Sequence, residues 1–228
     1  MLFTIASIAI ILCSNFLLDL QLSQTAINSG VLGLIIGSFL SRFYSNKITD
    51  YEKCLQKKNA DLKVLASTDG LTGIMNKRAF NEISEHYFKS AQRDNNSLTL
   101  MLLDLDHFKK INDSYGHKAG DLVLTSFVKV IESLLRKSDI LARIGGEEFA
   151  ILLFETQTDG AFTLAEKIRK SVKNTSNNFE GQEFFVTTSI GISQNNVIDT
   201  AFDDIFIRTD KALYQAKSQG RDQTCILH

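Results

Sequence analysis

Hydrophobic and polar positions divide the chain into three stretches. Leu2–Leu18 carries no charged side chain, and a second uncharged run spans 26–40 and can extend past Arg42 to Tyr44. Each approaches the ~17–20 residues needed to cross a hydrocarbon core. The segment between them, 19–25, has no Lys or Arg, whereas Arg42, Lys47, Lys53, Lys57 and Lys58 follow the second run. Basic flanks stay on the cytoplasmic side. The pattern therefore predicts a two-helix transmembrane hairpin at 1–44, with a short outward loop and both termini inside, and a multi-pass location in the inner membrane. A cleaved signal peptide and a pair of buried core helices are the competing readings. No basic residue precedes the first run, which counts against the signal peptide.

Residues 45–66 read as a helical linker. Ile48, Tyr51, Leu55, Leu62 and Leu65 fall at heptad spacing, with Lys58 interrupting the seam. A short parallel coiled coil would make the protein a dimer. A solvated amphipathic helix fits the same pattern.

From 67 to 228 the period switches between helix and strand. Helical periodicity covers 76–92, 122–136, 161–173 and 202–218. Leu98–Leu103 is a continuous apolar run of strand length, as in a strand buried on both faces. Ile140–Ile144 and Phe149–Phe154 flank Gly145-Gly146-Glu147-Glu148, a hairpin signal. Glu183–Ser189 alternates as a strand, and Thr224–Leu227 can add a last one. The order strand–helix–strand–strand–helix–strand predicts an α+β, ferredoxin-like βαββαβ domain.

Composition narrows the classes. A net charge of −1 excludes a polybasic nucleic-acid binder. Cys13, Cys54 and Cys225 make no CxxC spacing and no disulfide framework. The chain has no proline, so a Pro-rich linker is excluded and long helices are allowed.

Candidate chemistry concentrates in acidic residues. Asp104 and Asp106 end the buried strand, and period two puts them on one face. If the strands are neighbours, Asp104 meets Glu147 and Glu148 at the hairpin tip. Such a cluster repels itself unless a cation is present. Oxygen-only ligation points to Mg²⁺ or Mn²⁺ with phosphates completing the shell. Solvated turn residues would carry the same acids. In the next segment Asn112 and Asp121 can read a guanine edge, or can serve as helix caps. His107 and His117 read as structural, since no Cys or acid sits at zinc-ligand spacing.

Five segments in order, Thr68–Arg78 (TDGLTGIMNKR), Asp104–Asp121 (DLDHFKKINDSYGHKAGD), Arg143–Phe149 (RIGGEEF), Ser189–Ser193 (SIGIS) and Asp210–Arg221 (DKALYQAKSQGR), together resemble the GGDEF domain of diguanylate cyclases. The resemblance covers 67–228. It implies that two GTP molecules condense to cyclic di-GMP and two pyrophosphates across a homodimer. The 3′-hydroxyl of one GTP would attack the α-phosphate of the other. It also implies site roles. Gly145, Gly146, Glu147 and Glu148 form the catalytic signature. Asp104, Glu147 and the Leu105 carbonyl are the metal ligands, and Glu148 is a second acid of undecided role. Asn112 and Asp121 read guanine. Phe108 and Lys109 offer backbone amides to the terminal phosphates, and Lys217 and Arg221 contact phosphate. Without that frame Lys217 and Arg221 are a solvated basic face. Arg136 and Asp139, an RxxD five residues before Gly145, resemble the family's product-inhibition site.

Departures from the family pattern are few. Ile74, Lys77, Ile144, Thr209 and Asp222 replace more usual residues, and none is a metal or guanine position. The implied partners are GTP, cyclic di-GMP, a second copy of the chain and the membrane, with no nucleic acid. The rival functions are a catalytically silent membrane receptor that binds cyclic di-GMP through Arg136 and Asp139, and a nucleotide-binding scaffold without turnover.

Overall fold

The structure, a computed structural model, describes residues 7–11, 34, 37–38, 40–45, 47–49, 51–53, 55 and 67–228. The chain divides into two units, Met1–Leu62 and Lys63–His228. In the first, every described residue is helical, and Ile48, Tyr51 and Leu55 are exposed.

Among the described residues no helix is long and apolar enough to cross a membrane. This corrects the expected multi-pass location in the inner membrane. The described helical residues near the second run include Arg42, Lys47, Glu52 and Lys53, which cut the apolar stretch short. The runs at 2–18 and 26–40 themselves lie mostly outside the described residues.

The second unit is built on a six-stranded mixed sheet. Its elements are β1 (Met75–Asn76), α1 (Lys77–Asp94), β2 (Leu98–Leu105), α2 (Phe108–Tyr115), α3 (His117–Glu132), β3 (Ile140–Arg143), β4 (Glu148–Phe154), α4 (Thr158–Asn174), β5 (Asn177–Phe179), β6 (Gln182–Phe184), β7 (Thr188–Gln194), α5 (Phe202–Ser218) and β8 (Thr224–Ile226). The strand order is β1-β3-β4-β2-β7-β8, and β5 and β6 form a separate hairpin. The four central strands are antiparallel, with β1 and β8 added parallel at the edges. The central strands and their crossovers follow the expected βαββαβ order.

Strand β2 is buried at all eight positions, as its unbroken apolar run requires. Its alternation sorts the core into two. Met101, Leu103 and Leu105 face a cluster that includes Val123, Phe127 and Ile131 of α3 and Ala165 and Ile168 of α4. Leu98, Leu100 and Leu102 face Phe80 and Phe88 of α1 and Phe202, Ile205 and Leu213 of α5. The sheet is thus the middle of three layers. Helix α1 starts at Asn76, whose side chain accepts from Ala79 N, and stops at Asn95 in the left-handed region at φ 52°.

Two of the expected elements lie elsewhere, and β1, α2 and β5 have no counterpart among those expected. The strand expected at 183–189 lies at Thr188–Gln194, and Gln182–Phe184 belongs to the small hairpin. Ser189, Gly191 and Ser193 hide the strand from a hydrophobicity pattern, although Ser189 and Ser193 are fully buried. Helix α3 begins five residues before the expected 122, because Gly116 at φ 81° breaks the helix and the polar residues after it already belong to the next one.

Candidate active site

The site lies where β2 ends. Asp104 has the parity of Leu100 and Leu102, so it points to the α1/α5 side of the sheet. Its cross-strand partner on β4 is Glu148. Helix α5 lies over the same side and brings Lys217 Nζ to 2.6 Å from Asp104 Oδ2. The Leu105 N–H donates to the Glu147 carbonyl at 3.3 Å, which ties the hairpin tip to the strand carrying Asp104.

These carboxylates are not at ease. Burial pushes the Asp104 carboxyl above its ordinary range; the Lys217 hydrogen bond and charge pull it back, while the charges of Glu148 and Asp106 add to the rise. Burial wins, since Asp104 is only 5% exposed. Glu147 is also raised, by burial first and by the charge of Asp104 next. The site therefore holds more negative charge than one lysine neutralises.

A divalent cation fits that deficit. Among the described residues no group of three or more His, Cys, Asp or Glu side chains can hold a metal by itself. Asp104 and Glu147 would supply two carboxylates of a partial oxygen shell, as suits an ion that keeps waters and phosphate oxygens.

The turn itself is tightly held. Ile144 N and Gly145 N both donate to the Glu148 carbonyl, at 2.9 and 3.2 Å. A Cβ on Gly145 would collide with the Glu148 carboxylate, whereas one on Gly146 would meet nothing. Arg143 clamps the turn: Nε and Nη2 donate to the Gly146 carbonyl at 3.1 and 2.6 Å, and Nη1 to Asp69 Oδ1 at 3.0 Å. Asp69 also accepts from Thr72 N and Thr72 Oγ1. Neither Arg143 nor Asp69 carries a role in the sequence reading. Each stands inside a quoted motif, and an Arg at a strand end beside two glycines was the available signal.

The residues expected to read guanine sit on two short-spaced helices. Asn112 is inside α2, and Asp121 lies beyond the first turn of α3. Neither is an N-cap, so the capping reading fails. Gly120 is buried against Asn112: a Cβ there would overlap the Asn112 amide and come within 3.1 Å of Phe108 Cζ. Asp121 and Lys109 are exposed, and Phe108 is buried. Arg221 is exposed at φ 65°, just past the end of α5.

Asp106 turns out not to be spare. Its carboxylate accepts from Thr187 Oγ1 and Ser189 Oγ, both at 2.7 Å, and from Asp222 N at 3.0 Å. Arg136 and Asp139 form a separate turn, with Arg136 N donating to Asp139 Oδ2 at 2.9 Å and Asp139 N to the Arg136 carbonyl at 3.0 Å. They border a shallow cavity of about 430 Å³ with Ile74, Met75, Leu135 and Leu141. That turn is separated from Gly145 by the length of β3.

Residues 66–223 match the sequence profile described as "Diguanylate cyclase, GGDEF domain". The chain belongs to the GGDEF family. Diguanylate cyclase A of Treponema denticola is 38% identical over 195 residues, which cover 80% of this chain and 53% of that protein. The chain thus spans about half the length of that curated relative. Among solved structures, the coiled coil and GGDEF domain of DgcB from Caulobacter crescentus in complex with c-di-GMP has a TM-score of 0.76 at 27% identity, covering 82% of this chain and 99% of that one. The active GGEEF domain of a diguanylate cyclase from Vibrio cholerae is 35% identical with a TM-score of 0.64, covering 67% of this chain and 97% of that one. The GGDEF domain here carries the same GGEEF spelling at 145–149.

Proposed function

We propose that the chain is a diguanylate cyclase that joins two GTP molecules into cyclic di-GMP and releases two pyrophosphates. The observation that carries this reading is the cluster of Asp104, Glu147 and Glu148 at the end of β2, opposed among the described residues by Lys217. Such a concentration of charge is costly unless it holds a cation against phosphates, and it also supplies the acids that phosphoryl transfer uses. The same cluster counts against a silent receptor, which needs only Arg136 and Asp139.

Position supports the following roles. Asn112 and Asp121 offer acceptors to the donor edge of guanine, with Gly120 making room for Asn112. Phe108 and Lys109 begin α2 and present backbone N–H groups to phosphate. Lys217 and Arg221 draw in the polyphosphate. Asp104, Glu147 and the Leu105 carbonyl would hold Mg²⁺ or Mn²⁺, which would neutralise charge developing on the phosphates. Glu148 lies beside them, opposite Asp104, where a carboxylate can accept the proton of the attacking hydroxyl.

One domain presents one GTP, so the reaction needs two copies. The exposed Ile48, Tyr51 and Leu55, at three- and four-residue spacing on helical chain, support a seam with a second copy. Residues 45–66 are then the linker and 67–228 the cyclase domain. The Arg136–Asp139 turn supports product inhibition: its exposed guanidinium can pair with phosphate or stack on guanine.

The test is to incubate the dimeric protein with GTP and Mg²⁺ or Mn²⁺ and measure cyclic di-GMP. Product is expected from the natural sequence and none from Glu147→Ala. No product from the dimer refutes the reading, and an active Glu147→Ala refutes the metal assignment. Arg136→Ala is expected to remain active when product accumulates.

A further inference from the structure

After α5 the chain passes through three consecutive residues with positive φ: Gly220 at 117°, Arg221 at 65° and Asp222 at 44°. Glycine takes this conformation freely. Arg and Asp keep it only where their surroundings hold them. Here the surroundings act from two sides.

On the inner side, Asp222 N donates to Asp106 Oδ2 at 3.0 Å. Asp106 is 4% exposed. Its other donors come from Thr187 and Ser189 at the start of β7, and its own N–H donates to the Thr187 carbonyl at 2.9 Å. One carboxylate therefore joins the end of β2, the start of β7 and the segment after α5. With three protein donors on it, Asp106 has little capacity left for a metal or a substrate.

On the outer side, the Asp222 carboxylate accepts from Arg169 Nη1 and Lys173 Nζ of α4, each at 2.6 Å. Arg169 is itself fixed by both oxygens of Glu166, at 2.9 Å each. Glu166 also accepts from Thr224 Oγ1 at 2.8 Å. The segment is thus gripped at residues 222 and 224, by the sheet below and by α4 beside it.

We propose that Asp106 is a positioning residue: with the α4 ion pairs it fixes segment 220–224 in advance, and so holds Arg221 where the terminal phosphates of a nucleoside triphosphate arrive. The inference rests on the reading of Lys217 and Arg221 as phosphate contacts. Its physical basis is preorganisation. An exposed arginine on a loose segment must lose chain entropy as it meets the ligand, and the two grips remove that cost beforehand. The base-reading residues on α2 and α3 are not part of this grip, so the effect falls on phosphate and spares guanine.

The experiment compares the full natural chain with Asp106→Ala, Asp106→Asn and the double variant Arg169→Met/Lys173→Met. The probes are 3′-deoxy-GTP, which lacks the attacking hydroxyl, and GMP, which lacks the β- and γ-phosphates. Affinity is read by calorimetry and segment mobility by amide hydrogen exchange at 217–224. In Asp106→Ala and in the double variant, 3′-deoxy-GTP affinity is expected to fall about tenfold, the size of one lost charged hydrogen bond, with GMP affinity unchanged. Exchange at Asp222 is expected to rise in both. Asp106→Asn keeps an oxygen for the Asp222 N–H and is expected to stay close to the natural chain. The double variant alters only α4 side chains, the exposed Lys173 and the partly buried Arg169, leaves the β2–β7 core untouched, and carries the test if Asp106→Ala does not fold. Unchanged exchange overturns the anchoring. Faster exchange with both affinities unchanged, or with both reduced equally, overturns the positioning role. A natural chain that binds 3′-deoxy-GTP no better than GMP overturns the phosphate reading and this role with it, while its exchange data still report the anchoring separately.

Discussion

Lys217 Nζ stands 2.6 Å from Asp104 Oδ2, so helix α5 supplies the counter-charge to a carboxylate that the sheet has buried. Lys217→Met leaves Asp104 facing Glu148 and Asp106 with no cation. The metal-free variant is expected to be less stable by at least about 1–3 kcal/mol, since a buried group that loses its partner costs that much and a charged one more. Mg²⁺ should restore more stability to the variant than it adds to the natural chain. Thermal melts with and without Mg²⁺ check this, and an equal gain in both chains would show that Lys217 and the cation do not share Asp104.

Gly120→Ala tests the proposed guanine-reading role of Asn112. Its methyl group would overlap the Asn112 amide. The added carbon is expected to cost about 1–3 kcal/mol, shared between stability and guanine binding. The signature is a raised KM for GTP in a chain whose circular dichroism is unchanged. An unaltered KM would mean that Asn112 can turn aside without losing the base.

Gly191→Ala tests the fold away from the site. A Cβ there would run into the backbone of Thr209 and Leu213 on α5, which cannot step aside as a side chain can. The loss is expected at the upper end of the overpacking range, about 3 kcal/mol, seen as a lower midpoint in urea. A loss below about 1 kcal/mol would show that α5 can shift off β7 at little cost.

Acid should release the α4 grip. Burial raises the Asp222 carboxyl, but hydrogen bonds from Lys173 and Arg169 outweigh it and hold the group below its usual 3.8. Glu166 is held below its usual 4.5, chiefly by Arg169. A lowered acid contributes stability above its unfolded value and loses it as pH falls through the folded one. The natural chain should therefore exceed Asp222→Asn in stability near neutral pH, and the gap should close as pH drops below 3.8. Urea titrations across that range measure it. A gap that persists in strong acid would assign the difference to shape instead of charge.

Much of this was legible in the residues. The apolar run at 98–103 announced β2, and the two glycines after Arg143 announced the β3–β4 turn, because both signals depend only on local pattern. The meeting of Asp104 with the hairpin acids follows from strand parity when β2 and β4 are neighbours, as they are. β7 was misplaced because its buried positions include Ser189 and Ser193, whose partners are the Asp106 carboxylate and the Leu227 carbonyl far along the chain. Asp106 and Asp222 could not be assigned from sequence for the same reason. Their side-chain hydrogen bonds join segments 49 to 116 residues apart. Nothing in the local pattern marks Gly120 or Gly191, because what presses on them is the Asn112 side chain of α2 and the backbone of α5.

The Arg143 clamp has one more consequence. From the Asp69 carboxylate the path runs through one guanidinium to the Gly146 carbonyl, and Glu147 is the next residue. The Gly145–Gly146 turn is therefore registered against the residues before β1 by three hydrogen bonds, without passing through the packed interior. A shift of the chain at residue 69 reaches the carboxylates by a route far shorter than the fold itself.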